Sequence, residues 1–271
     1  MRCEQIKVPL KGAAPDAVLS TYILDNHEEV DIARKRPLIL ICPGGGYQFR
    51  SFRESEPVAV RMLGLGYHAA VLRYDVAPVT FPAQLLQTLG AIACVRRHAE
   101  EWNVDDNKII LMGFSAGGHL AASAGVFWSR PHYSRLLDLT PAEVRPGALV
   151  LSYPVITGGE HANRPSIDNL LGDTNRMYLD TVSLENQVNE QVPPCFIWHT
   201  GDDAVVPVEN AILLASALRK SGVPFELHIF AEGPHGLSLS NQEVYGTNHS
   251  ESIRPRAAKW VGLMDAWLRQ L

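Results

Sequence analysis

The run Pro37-Leu38-Ile39-Leu40-Ile41-Cys42 limits the possible folds more than any other segment of this chain. It is too short for a buried helix, and no polar residue marks one side of a pleat, so it reads as a strand covered on both faces. Comparable apolar stretches recur at 69–74, 108–114, 148–153, 195–200 and 225–230. Between and after them lie segments with helical character, at 53–65, 82–101, 117–128, 208–221 and 255–271. In the longest of the internal ones, Leu85, Leu89, Ile92 and Arg96 trace one face at helical spacing. Doubly covered strands that alternate with helices predict an α/β architecture, a mostly parallel central sheet with helices on both faces. Residues 4–10 and 17–24 predict an antiparallel edge to that sheet. No internal repeat or linker-like tract interrupts the pattern, so residues 1–271 are expected to form a single domain. The alternation breaks at 155–194, a Gly-, Asn-, Asp- and Pro-rich stretch too long for an ordinary connection. It predicts a short excursion over the carboxyl edge of the sheet, where such folds bind ligands.

Composition narrows the function classes. With 46% hydrophobic and 20% charged residues the chain has ample material for a packed interior. A net charge of −5 argues against nucleic-acid or anionic-membrane partners, which call for clustered Lys and Arg. No stretch approaches the roughly 18 consecutive apolar residues of a membrane span, and residues 1–11 lack the apolar core of a secretory signal. The cysteines Cys3, Cys42, Cys94 and Cys195 lie far apart, and Cys42 and Cys195 sit in strand-like runs as buried free thiols. A cytoplasmic protein acting on a small molecule is the expectation, with a homodimer left open.

Chemistry enters at Gly113-Phe114-Ser115-Ala116-Gly117. Such a pentapeptide is weak evidence alone, but here it directly follows an apolar strand and directly precedes an apolar helix. That setting is the nucleophile elbow of the α/β-hydrolase fold, in which a sharp turn presents a serine Oγ above the sheet. An acyl-transfer serine needs donors aimed at the developing oxyanion. The backbone N–H of Ala116 is one candidate. Pro43-Gly44-Gly45-Gly46-Tyr47, after the strand at 37–42, offers the others, and Gly45 and Gly46 are assigned ahead of Gly44. A phosphate-cradling role for these glycines is disfavoured because no Gly-Lys-Ser/Thr follows. Tyr47, next in line, is expected to contact substrate.

In this fold the acid and the base follow the serine in that order, on loops after late strands. Gly201-Asp202-Asp203 follows the strand at 195–200 and offers two carboxylates; His235 follows the strand at 225–230. Of the 10 histidines, His228 lies within a strand, His119 on the helix after the elbow, and His199 at the end of the strand before the acid. His199 reads as a structural hydrogen-bonder, and His249, in a polar loop with no preceding strand, is the one rival to His235. No His-Glu-x-x-His or Cys-x-x-Cys spacing points to a metal, and Ser-His-Asp chemistry requires no cofactor.

Taken together, Cys42 to Tyr47, Gly-Phe-Ser-Ala-Gly-Gly-His-Leu-Ala at 113–121, Ser-Tyr-Pro-Val-Ile at 152–156, Asn-Leu-Leu-Gly at 169–172, Asp-Asp-Ala-Val-Val-Pro at 202–207 and Gly-Pro-His-Gly at 233–236 carry a resemblance. The chain resembles the acetylxylan-esterase-like branch of the α/β-hydrolase esterases, near the hormone-sensitive-lipase-like group. It differs from that group at Pro43, where a His would stand, and at Phe114, where an Asp would stand. The resemblance favours Asp203 over Asp202, since Asp203-Ala204-Val205-Val206-Pro207 is similar to the segment in which related hydrolases carry their acid. It also implies hydrolysis of short acyl esters, acetylated sugars among them, without a cofactor. Two other readings are an amide hydrolase, of the arylformamidase or prolyl-oligopeptidase kind, and a non-catalytic binding module on the same scaffold.

Overall fold

A computed structural model describes residues 1–10, 12, 14, 15 and 17–271. Its centre is an eight-stranded sheet in the order β1-β2-β4-β3-β5-β6-β7-β8. The strands are β1 (Arg2–Val8), β2 (Ala17–Ile23), β3 (Arg36–Cys42), β4 (His68–Arg73), β5 (Val104–Phe114), β6 (Ala148–Ser152), β7 (Cys195–Thr200) and β8 (Phe225–Phe230). β1, β2 and β4 pair antiparallel, and every pairing from β4 through β3 to β8 is parallel. The helices are α1 (Glu56–Leu63), α2 (Ala83–Arg97), α3 (Ala116–Phe127), α4 (Pro131–Leu136), α5 (Arg164–Leu171), α6 (Leu179–Val182), α7 (Glu209–Lys220), α8 (Gln242–Tyr245) and α9 (Trp260–Leu268).

Alternate residues of each central strand feed two separate cores, which is why the strand sequences are continuously apolar. Leu38 and Leu40 of β3 face one core with α2, α3 and α7, while Ile39 and Ile41 face the other with α1 and α9. The second core is rich in aromatic rings. Trp198 stacks on Trp260 at 5.3 Å, and Phe114 meets both Tyr153 and Trp260. Their polar atoms are satisfied: Trp198 Nε1 donates to Ser152 Oγ (2.7 Å) and Trp260 Nε1 to the Ser238 carbonyl (2.9 Å). Burial of each such ring contributes on the order of 2–3 kcal/mol. This packing lies directly beneath the loops that leave β5, β6 and β8.

Two expected helices are broken. In place of one helix over 53–65 there is a 3₁₀ turn, Phe52–Glu54, then Ser55 at φ −109°, ψ −109°, then α1 with Pro57 in its first turn. Proline fits a helix start and not an interior, so the chain restarts there. In place of a helix over 255–271, a 3₁₀ turn at Ala257–Lys259 precedes the shorter α9. The stretch 155–194 holds α5 and α6, and α5 is opened by Asn163, whose Oδ1 accepts the Ser166 N–H at 3.0 Å. Cys42, Cys94 and Cys195 are buried free thiols. Among the described residues, no helix is long and apolar enough to cross a membrane.

Candidate active site

The carboxyl ends of β3, β5, β6, β7 and β8 all open on one edge of the sheet, so loops distant in sequence meet there. Between β5 and α3, Ser115 is held at φ 54°, ψ −120°, a strained conformation for a residue with a Cβ. The turn closes only because its neighbours lack side chains. A Cβ on Gly113 would stand 2.2 Å from the Gly117 carbonyl, and one on Gly117 would stand 2.1 Å from the Cys42 carbonyl. The Ser115 N–H donates to the Ser152 carbonyl (3.0 Å), and its own carbonyl accepts the Val155 N–H (3.1 Å), which fixes the turn against the end of β6.

Ser115, His235 and Asp203 form one hydrogen-bonded chain. Ser115 Oγ lies 2.7 Å from His235 Nε2, and His235 Nδ1 lies 2.6 Å from Asp203 Oδ2. The other Asp203 oxygen accepts the N–H groups of Val205 and Val206, both at 2.9 Å. His199 Nε2 donates to the Val206 carbonyl at 2.9 Å and lies 3.4 Å from Asp203 Oδ2. Burial alone would push the Asp203 carboxyl up. The hydrogen bonds from His199, His235 and the backbone overcome that effect and hold it well below the usual carboxylate range. An ionised Asp203 therefore faces Nδ1, which fixes the proton there and leaves Nε2 free to accept from Ser115.

The two alternatives left by the sequence are placed elsewhere. Asp202 Oδ1 accepts the Gly233 N–H (2.7 Å), so this carboxylate braces the loop that carries His235 and does not touch the imidazole. His249 is exposed, 3.6 Å from Glu251, on a segment that does not line the cleft.

The glycine loop after β3 is clamped at successive atoms. Tyr74 Oη donates to the Pro43 carbonyl (2.6 Å), the Gly44 N–H to Glu54 Oε2 (2.9 Å), and Asn169 Nδ2 to the Gly46 carbonyl (2.9 Å). Gly44 is thus committed to Glu54. Among the described residues no acceptor meets the N–H groups of Gly45, Gly46 or Ala116, the three assigned as oxyanion donors. Gly45 and Gly46 have φ of +124° and +63°, backbone that favours glycine.

Tyr47 corrects an expectation. It is 1% exposed and absent from the cleft wall, with its hydroxyl 2.9 Å from His119 Nδ1. His119 Nε2 in turn lies 2.8 Å from the Val182 carbonyl. The positive φ of Gly46 and of Tyr47 itself (56°) turns the ring inward, where it ties the glycine loop to α3 and the 155–194 excursion.

Glu54 and Tyr153 belong to the site and escape the sequence pattern. Glu54 is 3% exposed. Its second oxygen accepts the Tyr153 hydroxyl at 2.7 Å, and that hydroxyl accepts the Ser238 N–H at 2.9 Å. The Tyr153 ring packs edge-on against His235, centroids 5.0 Å apart. Burial, with the carboxylate beside it, raises the Tyr153 phenol far above its ordinary range and keeps it a neutral donor. The only sequence hint was Tyr153 within Ser-Tyr-Pro-Val-Ile; Glu54, inside Arg-Glu-Ser-Glu, reads as surface charge.

A cleft of about 530 Å³ opens over Ser115 and His235, walled by the 45–54 loop, by Asn163, Ser166 and Asn169 of the excursion, and by Val205. Among the described residues no group of three or more His, Cys, Asp or Glu could hold a metal ion.

Fold and site together define a protein of the α/β-hydrolase fold with a Ser-His-Asp hydrogen-bonded chain at its cleft. The chain belongs to the BD-FAE family, which matches residues 24–218. It is 40% identical over 220 residues to endo-1,4-beta-xylanase B of Butyrivibrio fibrisolvens, covering 78% of this chain and 34% of that protein. It is 32% identical over 210 residues to an acetylxylan esterase of Xylanibacter ruminicola, covering 74% of this chain and 41% of that protein. These curated relatives are therefore more than twice as long as the region they share with this chain. Among solved structures, the acetyl ester-xyloside bifunctional hydrolase from Caldicellulosiruptor lactoaceticus superposes with a TM-score of 0.81 at 37% identity, over 99% of this chain and 96% of that one.

Proposed function

We propose that this chain is a serine carboxylic-ester hydrolase that removes short acyl groups, acetyl groups on sugars included. The observation that carries the reading is the chain of hydrogen bonds from Ser115 through His235 to Asp203, at 2.7 and 2.6 Å, at the floor of an open cleft.

Ser115 Oγ attacks the ester carbonyl as His235 Nε2 takes its proton, and Asp203 stabilises the resulting imidazolium. The carbonyl oxygen gains charge against the N–H groups of Gly45, Gly46 and Ala116. His235 hands its proton to the departing alcohol, and water, activated by the same imidazole, releases the acyl group from Ser115. None of these steps uses a cofactor. Gln48 and Ser166 are among the polar residues that line the cleft, which supports a hydroxylated alcohol portion, and the names of the xylan-active relatives support a sugar. Four free thiols support a reducing, cytoplasmic setting.

The test is a substrate panel: p-nitrophenyl esters from two to twelve carbons, acetylated xylose, and matching anilides. Fastest turnover at two to four carbons, with acetate released from the sugar and anilides left intact, supports the reading. Faster cleavage of anilides than esters overturns it in favour of an amidase.

A further inference from the structure

Arg53 is the middle residue of the 3₁₀ turn Phe52–Glu54, and its side chain lines the same cleft as Ser115 and His235. Its guanidinium carbon sits 5.2 Å from the centre of the Tyr245 ring, and Nη2 stands 3.5 Å from where a Cβ on Gly236 would be. Its carbonyl accepts Ser238 Oγ at 2.6 Å, so the backbone that carries it is tied to the histidine loop. Among the described residues no carboxylate pairs with this guanidinium. The adjacent Glu54 does not neutralise it, because both Glu54 oxygens are turned inward to the Gly44 N–H and the Tyr153 hydroxyl. A second guanidinium, Arg50, lines the same cleft, tethered to the Tyr74 carbonyl at 2.7 Å and likewise without a carboxylate partner.

Two unpaired guanidiniums in the wall of a reaction cleft, in a chain whose net charge is −5, form a site for an anion. We propose that the cleft takes esters whose alcohol portion carries a carboxylate, held by Arg53 with Arg50 adding to the positive field. The class is an O-acylated hydroxy acid, acidic sugars included. This rests on the ester-hydrolase reading above and goes on to specify its substrate. The carboxylate belongs on the alcohol side because Gly236, next to the Arg53 guanidinium, follows the histidine that protonates the leaving oxygen. A guanidinium stacked on an aromatic face loses little freedom on binding and presents a planar fork that matches a carboxylate.

The experiment compares 4-acetoxybenzoate with its neutral counterpart 4-acetoxybenzamide in the native protein, Arg53→Gln and Arg53→Lys. The ratio of kcat/KM for the anionic ester to that for the neutral one should fall about threefold to tenfold in Arg53→Gln, through KM, and part of the loss should be restored in Arg53→Lys. Calorimetric binding of 4-hydroxybenzoate against 4-hydroxybenzamide supplies a readout without turnover, and Arg53→Gln should weaken only the former. An unchanged ratio together with unchanged 4-hydroxybenzoate binding in Arg53→Gln overturns the proposal. Hydrolysis of neither ester, with Arg53-dependent binding of 4-hydroxybenzoate intact, would count against the ester reading and still support the anion site.

Discussion

Glu54 Oε2 accepts the Gly44 N–H at 2.9 Å, and through this bond a buried carboxylate sets the height of the glycine loop over Ser115. The same carboxylate receives the Tyr153 hydroxyl, and Tyr153 in turn receives the Ser238 N–H from the histidine loop. One side chain thus joins the glycine loop to the loop that carries His235.

Glu54→Ala leaves the Gly44 N–H and the Tyr153 hydroxyl without their acceptor in a buried setting, which costs about 1–3 kcal/mol of stability. The value of kcat should fall by roughly 10-fold to 100-fold with a smaller change in KM, because loop position affects the transition state more than the bound substrate. Glu54→Gln keeps one acceptor and should fall between the two. Steady-state kinetics with parallel thermal melts check this; a variant as unstable as expected but with native kcat would make Glu54 a structural residue only.

The adjacent aspartates separate by role. Asp203→Asn removes the anion facing His235 Nδ1 and should lower kcat by about 10³-fold to 10⁴-fold. Asp202→Asn keeps an oxygen for the Gly233 N–H and should stay within a few-fold of native. Side-by-side kinetics decide, and a more damaging Asp202→Asn would reverse the assignment.

Stability against pH follows from the depressed Asp203 carboxyl. A group whose folded pKa lies below its unfolded value of about 3.9 adds stability above that value, and the contribution fades as pH falls toward the folded pKa. The gap in unfolding free energy between native protein and Asp203→Asn should be constant near neutrality and shrink below about pH 4. Urea titrations from pH 7 to pH 3 measure it. A gap that widens on acidification would mean that burial, not the hydrogen bonds, dominates at this carboxyl.

Tyr47→Phe tests the corrected placement of that residue. Loss of the hydroxyl at His119 Nδ1, where burial holds the imidazole down to about 4, should cost about 1 kcal/mol. KM for short esters should not change. A several-fold rise in KM at native stability would return Tyr47 to the cleft.

The central strands were legible because both faces of each are buried, so composition alone marks them: β7 is buried throughout and begins and ends at the expected residues. β8, the half-exposed edge strand, also has the expected bounds. Ser115, Asp203 and His235 were legible as a set because strand ends converge at one edge whatever lies between them in sequence. What stayed hidden depends on long-range geometry. The inward turn of Tyr47 follows from local φ values that three glycines leave open, and the burial of Glu54 follows from Tyr153, which is far away in sequence. The excursion showed its breaks, but its place in the wall rests on Asn169 reaching the Gly46 carbonyl.

The proposed function stands or falls with Ser115 as the nucleophile, activated by His235. Incubation with a fluorophosphonate, followed by intact-mass and peptide mass spectrometry, tests it on the protein itself. One adduct per chain is expected, located on Ser115, abolished in Ser115→Ala and strongly slowed in His235→Ala, with both variants folded. Labelling of a different residue, or equal labelling in Ser115→Ala, would contradict it.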